Sequence, residues 1–130
     1  MSEHEVRSLR QIYGALSRGS SEELLSAVAH NIEWATPETL PWGGTRHGRD
    51  GVEGVIEILR EHADATWDVD DFLDADDQVV VLGRMRGRAI TSGQEFEVPF
   101  AHVWGISNGV PSTFRSYVDS SPIMAALEGG

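Results

Sequence analysis

Residues 94–104 read QEFEVPFAHVW, and bulky apolar side chains alternate along them with charged or small ones. Successive side chains of a β-strand point to opposite faces, so this period of two predicts a strand with one buried face. The bulky face carries Phe96, Val98, Phe100, His102 and Trp104. We expect this face to line a concave interior, in which the His102 imidazole lies among aromatic rings.

Further strands are predicted on both sides of this one. Residues 67–73, 79–90 and 113–118 read as strands, and turn residues separate them at 74–77, 91–93 and 107–109. Gly83 and Gly87 are expected at bends or bulges. Which face of 113–118 points inward stays open, because Phe114 heads one face and Arg115 the other.

The first half of the chain is mainly helical. Apolar residues at helical spacing predict helices over 3–18, near 21–28 and from 49 or 50 to about 59. Short strands are expected at 32–34 and 45–47, and a terminal helical turn at 122–127. Helices followed by an antiparallel meander define the α+β class.

Composition excludes several functions. The 130 residues fit one domain, 1–130, and carry a formal net charge of −11, which argues against nucleic-acid binding. Cysteine and lysine are absent, so disulfides, thiolate chemistry, Schiff bases and a P-loop are excluded. No apolar run is long enough to cross a membrane, and the first residues lack a signal-peptide core. We therefore expect a cytoplasmic protein.

Several motifs in order resemble a known family. YGALSRG (13–19) ends the first helix, IEW (32–34) precedes a Pro/Gly loop, and GTRHGRDG (44–51) enters the third helix. FAHVW (100–104) leads through Asn108-Gly109 to FRSYVD (114–119). This pattern resembles the NTF2-like superfamily over nearly the whole chain. It is most similar to the SnoaL-like group, which includes polyketide cyclases and is related to ketosteroid isomerases and limonene-epoxide hydrolases.

The resemblance implies a cone-shaped, cystatin-like fold. A curved antiparallel sheet would wrap against three helices around a pocket for a small apolar organic molecule. It also implies a homodimer through the outer face of the sheet. We expect neither a cofactor nor a metal, because no two histidines and a carboxylate fall at metal-ligand spacing.

Three residues are the candidate catalytic groups. By resemblance, His102 falls where ketosteroid isomerases place a protonated aspartate, and Asp119 matches the acid/base residue of SnoaL-like cyclases. We expect Asp119 to pair with His102, Arg115 or Tyr117; otherwise it caps the turn after it. Tyr13 lies near the position of the oxyanion-hole tyrosine. For His102 and Tyr13 the alternative is an ordinary core residue with one hydrogen bond.

The family pattern is broken at one position. Thr36 stands where ketosteroid isomerases carry their base, so steroid isomerisation by that mechanism is not expected. Arg84-Met85-Arg86 lacks the acid that epoxide hydrolysis needs. The loop 37–44 should cover the mouth of the cone, with Trp42 as a lid or a packing anchor.

Two functions remain open. The first is a cofactor-free acid/base enzyme (a cyclase, isomerase, hydratase or hydrolase) acting on an apolar carbonyl compound. The second is a binding or assembly module without turnover. The residues expected to contact a ligand are Trp34, Glu38, Trp42, Val98, Phe100, Trp104 and Tyr117.

Overall fold

The computed structural model describes residues 2–129 and contains ten elements. In chain order these are α1 (Glu3–Arg18), α2 (Ser21–Ser26), β1 (Glu33–Thr36), β2 (Gly44–His47), α3 (Gly48–His62), β3 (Ala63–Ala75), β4 (Gln78–Ala89), β5 (Glu95–Ser107), β6 (Val110–Val118) and α4 (Ser121–Leu127). The expected α+β order is confirmed. Within the described range, no helix combines the length and apolarity needed to cross a bilayer.

The six strands form one curled, unclosed sheet in the order β2-β1-β6-β5-β4-β3. The meander β3 to β6 is antiparallel, as expected. β1 pairs antiparallel with β2 and parallel with β6, which brings the loop after β1 to the end of β6. Helices α1 and α3 pack their apolar faces on the concave side of the sheet. This arrangement places the site between the helices and strands β4 to β6.

The alternation predicted for β5 is confirmed. All five residues of its bulky face are buried, each with no more than 7% of its surface exposed. On β6 the inward residues are Phe114, Ser116 and Val118, while Arg115 and Tyr117 point outward. Register fixes this choice, because Ser116 lies opposite the inward-facing His102.

Gly83 and Gly87 were expected at bends or bulges, and the register shows no bulge in β4 at either glycine; the extra residue lies on the partner strand β3, opposite the step from Leu82 to Gly83. The register shift lies in β3, between residues 69 and 71, and β4 runs on without interruption. Gly83 instead lies opposite Phe100, and Gly87 opposite Phe96. A Cβ atom at Gly83 would collide with the Asp68 backbone oxygen and lie 2.7 Å from the Phe100 ring, and a Cβ atom at Gly87 would collide with the Phe96 ring. The glycines therefore give room to phenyl rings that cross from β5 onto β4.

Candidate functional site

Three buried side chains form a hydrogen-bonded chain through the interior. Trp104 Nε1–H donates to the Tyr13 hydroxyl oxygen at 2.9 Å, and this oxygen lies 2.7 Å from His102 Nδ1. An indole nitrogen can only donate, so the Tyr13 O–H is free to donate to His102. Nδ1 is then an acceptor, and the proton of a neutral imidazole resides on Nε2.

Burial keeps this chain uncharged. It lowers the pKa of His102 from 6.5 to about 3 and raises the pKa of the Tyr13 phenol well above its ordinary value of 10. Both shifts have the same cause, because a charge in a dry interior loses its hydration. Near neutral pH, His102 is therefore a hydrogen-bond donor through Nε2–H and a poor base.

A cavity of about 40 Å³ adjoins the His102 ring. Its wall is mostly aliphatic and aromatic and includes the indole rings of Trp34, Trp42 and Trp67; its other polar side chains are Thr36, His102 and Ser116. No aspartate or glutamate belongs to the wall as formed by residues 2–129. The space suits a few water molecules or a carbonyl group, whereas pockets for drug-sized ligands hold roughly 300–1,000 Å³. A larger ligand must therefore extend beyond this cavity or displace part of its wall.

The cavity wall contains polar hydrogens without a partner. Among the described residues, none accepts a hydrogen bond from Trp34 Nε1, which is buried while its ring stacks on Phe114 at 3.9 Å between centroids. His102 Nε2 likewise bonds to no described residue, since the one hydrogen bond of the ring is to Tyr13. A buried donor left unpaired costs roughly 1–3 kcal/mol. Such a wall is suited to a guest that brings an acceptor atom.

Four of the expected site residues line the cavity, namely His102, Trp34, Trp42 and Phe100. Val98 and Trp104 are buried on the same face of β5 but lie outside the cavity wall. Tyr13 is also outside the wall, because its hydroxyl is held between Trp104 and His102. Tyr13 therefore meets a ligand only through His102.

Three expected site residues lie elsewhere. Asp119 is exposed, and its Oδ1 accepts a hydrogen bond from the Ser121 N–H at 3.0 Å, as a cap before α4. The predicted pair of His102 and Asp119 is therefore not formed. Tyr117 is 56% exposed on the outer face of the sheet, and Glu38 is exposed in the loop after β1. The alternation along β6 explains the position of Tyr117, because Ser116 and Val118 beside it point inward; Asp119 follows the end of the strand.

Thr36 and Trp42 join the loop 37–44 to the sheet. Thr36 lines the cavity and donates its hydroxyl hydrogen to the Trp42 carbonyl oxygen at 3.1 Å. Trp42 is only 3% exposed, so it is both a packing anchor and part of the cavity wall. Ser116, also in the wall, was missed as a site residue; its position opposite His102 identifies it only once the register is known.

The curled, unclosed sheet packed against helices is the fold of NTF2-like proteins. The model of the SnoaL-like domain matches residues 9–110, and the chain therefore belongs to the SnoaL-like domain family. No curated protein sequence matches it.

Solved structures agree with this assignment. An NTF2-like protein of unknown function from Burkholderia pseudomallei K96243 is similar with a TM-score of 0.89, at 29% identity and with 98% of both chains covered. TerC, co-crystallised with polyporic acid, has a TM-score of 0.89 at 20% identity, with 97% of this chain and 99% of TerC covered. A protein from Jannaschia sp. CCS1, provisionally described as a SnoaL-like polyketide cyclase, has a TM-score of 0.85 at 16% identity, with 100% and 97% covered. At such identities the last two share the fold alone.

Proposed function

We propose that the chain is a cofactor-free protein of the cyclase or isomerase type, which binds an apolar carbonyl compound and polarises its carbonyl oxygen through His102 Nε2–H. The supporting observation is the chain of hydrogen bonds from Trp104 through Tyr13 to His102 Nδ1, which leaves Nε2–H directed to other partners. TerC, whose structure holds polyporic acid, indicates that this fold accommodates small organic molecules.

The chemistry follows from where charge develops. When a carbonyl compound loses an α-proton or is attacked at carbon, negative charge accumulates on its oxygen. A fixed donor in an apolar wall stabilises this charge more than water does, because the donor needs no reorganisation and the local dielectric is low. A neutral imidazole serves this purpose and keeps its proton.

The second candidate is a binding module without turnover. It is favoured by the composition of the cavity wall, which includes no carboxylate among the described residues. The base of an enzymatic reaction would then have to be water or a group of the substrate itself. Both candidates require the same carbonyl contact, so they are separated by turnover and not by binding.

Binding is tested with acetophenone and, as a ligand of similar shape without an acceptor, ethylbenzene. We expect the His102→Phe variant to bind acetophenone roughly 2- to 10-fold more weakly than the wild type, since one hydrogen bond contributes about 0.5–1.5 kcal/mol. Ethylbenzene should bind the wild type and the variant with equal affinity. Equal affinity would also show that the variant is folded. His30→Gln, at an exposed histidine, is the control. Equal acetophenone affinity for wild type and His102→Phe contradicts the proposal.

Turnover is tested by deuterium exchange of the acetophenone methyl protons in D₂O, followed by NMR. An enzyme should accelerate the exchange, and His102→Phe should lose about 100-fold or more of that acceleration, as is typical when an oxyanion donor is removed. Exchange at the solvent rate, together with tight binding, favours the binding module.

We also propose a homodimer through the outer face of the sheet. The centre of this outer face is apolar, because Leu82, Ala101 and Tyr117 form one row across β4, β5 and β6. Leu73, 46% exposed, extends this surface onto β3. We expect light scattering to find a dimer, and Ala101→Arg to yield a folded monomer, whereas Thr45→Arg on β2 should remain dimeric. A monomeric wild type at high concentration contradicts this proposal.

A further inference from the structure

An open groove of about 760 Å³ lies beside the small cavity. It is formed by the end of α1, the end of α3 and the adjoining ends of β3, β4 and β5. Four residues, Leu16, Ile56, Leu59 and Trp67, belong to the walls of both the groove and the cavity. The groove and the cavity therefore adjoin at these four apolar side chains.

The position of the groove indicates how a ligand reaches His102. None of the groove residues comes from the loop 37–44, which forms another part of the cavity wall. Leu59 and Trp67 are among the most exposed residues of the core, at 8% and 9%. A rotamer change of these two side chains would join the spaces without breaking any backbone hydrogen bond. The apolar body of a ligand thus has room in the groove that the cavity lacks.

Two of the arginines in the groove form ion pairs with described residues, and two do not. Four arginines line it, at positions 18, 60, 86 and 88, with three carboxylates, at 64, 95 and 97. Arg18 is paired with Glu23, and Arg86 with Glu97 at 2.7 Å and Asp68 at 3.3 Å.

The two remaining arginines differ in their surroundings. Arg88 lies between Asp64 and Glu95 in the sheet register, and its Nε–H donates to the Gly93 carbonyl oxygen at 3.3 Å. Arg60 has no ion pair and no hydrogen bond to any described residue. Its guanidinium group, with five N–H donors, is thus available to an anion.

The Arg60 guanidinium lies close to the backbone of Gly19 in the groove wall. This glycine ends α1 with a φ of 73°, a conformation that favours glycine. A Cβ atom at this position would lie 2.8 Å from Nη2 and 2.9 Å from Cζ of Arg60. The guanidinium group therefore lies flat against the backbone at the end of α1, beside the apolar residues that lead to the cavity.

We propose that the ligand is an amphipathic organic anion, whose carboxylate or sulfonate binds Arg60 and whose apolar body lies along the groove. Its carbonyl oxygen would reach His102. Of these two contacts, only the one with His102 rests on the proposed function. Guanidinium and carboxylate match in geometry, because two parallel N–H···O bonds form between the planar groups. The net charge of −11 means that most of the surface repels an anion, so binding of an anion at Arg60 would be local to this site.

The test uses two fluorescent probes with the same aromatic rings. 8-Anilinonaphthalene-1-sulfonate carries an anionic group, and N-phenyl-1-naphthylamine is its neutral counterpart. We expect Arg60→Gln to weaken binding of the sulfonate about 10-fold, which is the usual effect of losing a hydrogen bond to a charged group. The affinity for the neutral probe should not change. Arg60→Lys should retain part of the affinity, because it keeps the charge but not the planar fork. The matched control is Arg7→Gln, at an exposed arginine outside the groove, which should change neither affinity.

The outcomes separate this proposal from the proposed function. Neither probe has a carbonyl group, so His102→Phe should not affect them, and acetophenone has no charge, so Arg60→Gln should not affect it. Unchanged sulfonate binding in Arg60→Gln overturns the anion site and leaves the carbonyl contact intact. An equal loss in Arg7→Gln and Arg60→Gln also overturns it, because the attraction is then general and not local.

Discussion

Tyr13→Phe is expected to lower the free energy of unfolding by about 2–4 kcal/mol, although it removes only one oxygen atom. The change leaves Trp104 Nε1–H and His102 Nδ1 buried without a partner, and each such group costs roughly 1–3 kcal/mol. Packing is retained, because the ring itself stays in place against Phe100 and His102. Urea unfolding followed by circular dichroism measures the loss.

Tyr117→Phe is the matched control for this substitution. This side chain is 56% exposed in the single chain and lies in the proposed dimer face, so both substitutions are compared in the monomeric Ala101→Arg background. There Tyr117→Phe removes the same hydroxyl group from an exposed position, and the expected change is within about 0.5 kcal/mol. Equal stability changes at positions 13 and 117 would mean that the buried hydroxyl makes no net contribution. In that case the hydrogen bonds around Tyr13 would not explain the position of His102.

Acidification from about pH 7.5 to about pH 5 is expected to lower the free energy of unfolding by about 2 kcal/mol through His102 alone. Its pKa is about 3 in the folded protein and 6.5 in a model peptide, so below pH 6.5 the unfolded chain binds a proton that the folded chain does not. Stability is thus lost as the pH falls from 6.5 towards 3, at up to ~1.4 kcal/mol per pH unit. Above about pH 7.5 the residue is neutral in both states and contributes almost no pH dependence.

Variants isolate this contribution from that of the carboxylates. His102→Gln should lose the slope between about pH 6.5 and pH 5, where most carboxylates remain ionised. His30→Gln, at an exposed histidine, should keep it. A slope of the same size in His102→Gln would show that His102 is not held neutral by burial.

The sequence predicted the inward face of β5 because five bulky residues alternate with charged or small ones. It did not predict the face of β6, where both sets of side chains contain an aromatic and a polar residue. Only the register with β5 decides, by placing Ser116 opposite His102 and Phe114 opposite Trp104. The start of β3 at Ala63 was also missed, since residues 63–66 are small or polar and follow α3 without a turn.

The candidate site was predicted in part. His102 was recognised as an inward polar residue, but its partner was not, because Tyr13 lies 89 positions away in the chain. A local sequence pattern predicts which face of a helix or strand is buried. It does not predict which side chains from different elements make contact in the core. Asp119 was assigned to the site by resemblance. In the structure its carboxylate instead accepts a hydrogen bond from the Ser121 N–H in the turn before α4. This is the alternative role that the serines after it had left open.

The most direct test is a ¹⁵N NMR measurement of the His102 ring in the wild-type protein. A neutral ring with its proton on Nε2, and with Nδ1 unprotonated from about pH 5 to pH 8, is the expected result. A proton on Nδ1, or titration of the ring near pH 6.5, would contradict the assignment of His102 as a fixed, neutral donor to a carbonyl oxygen.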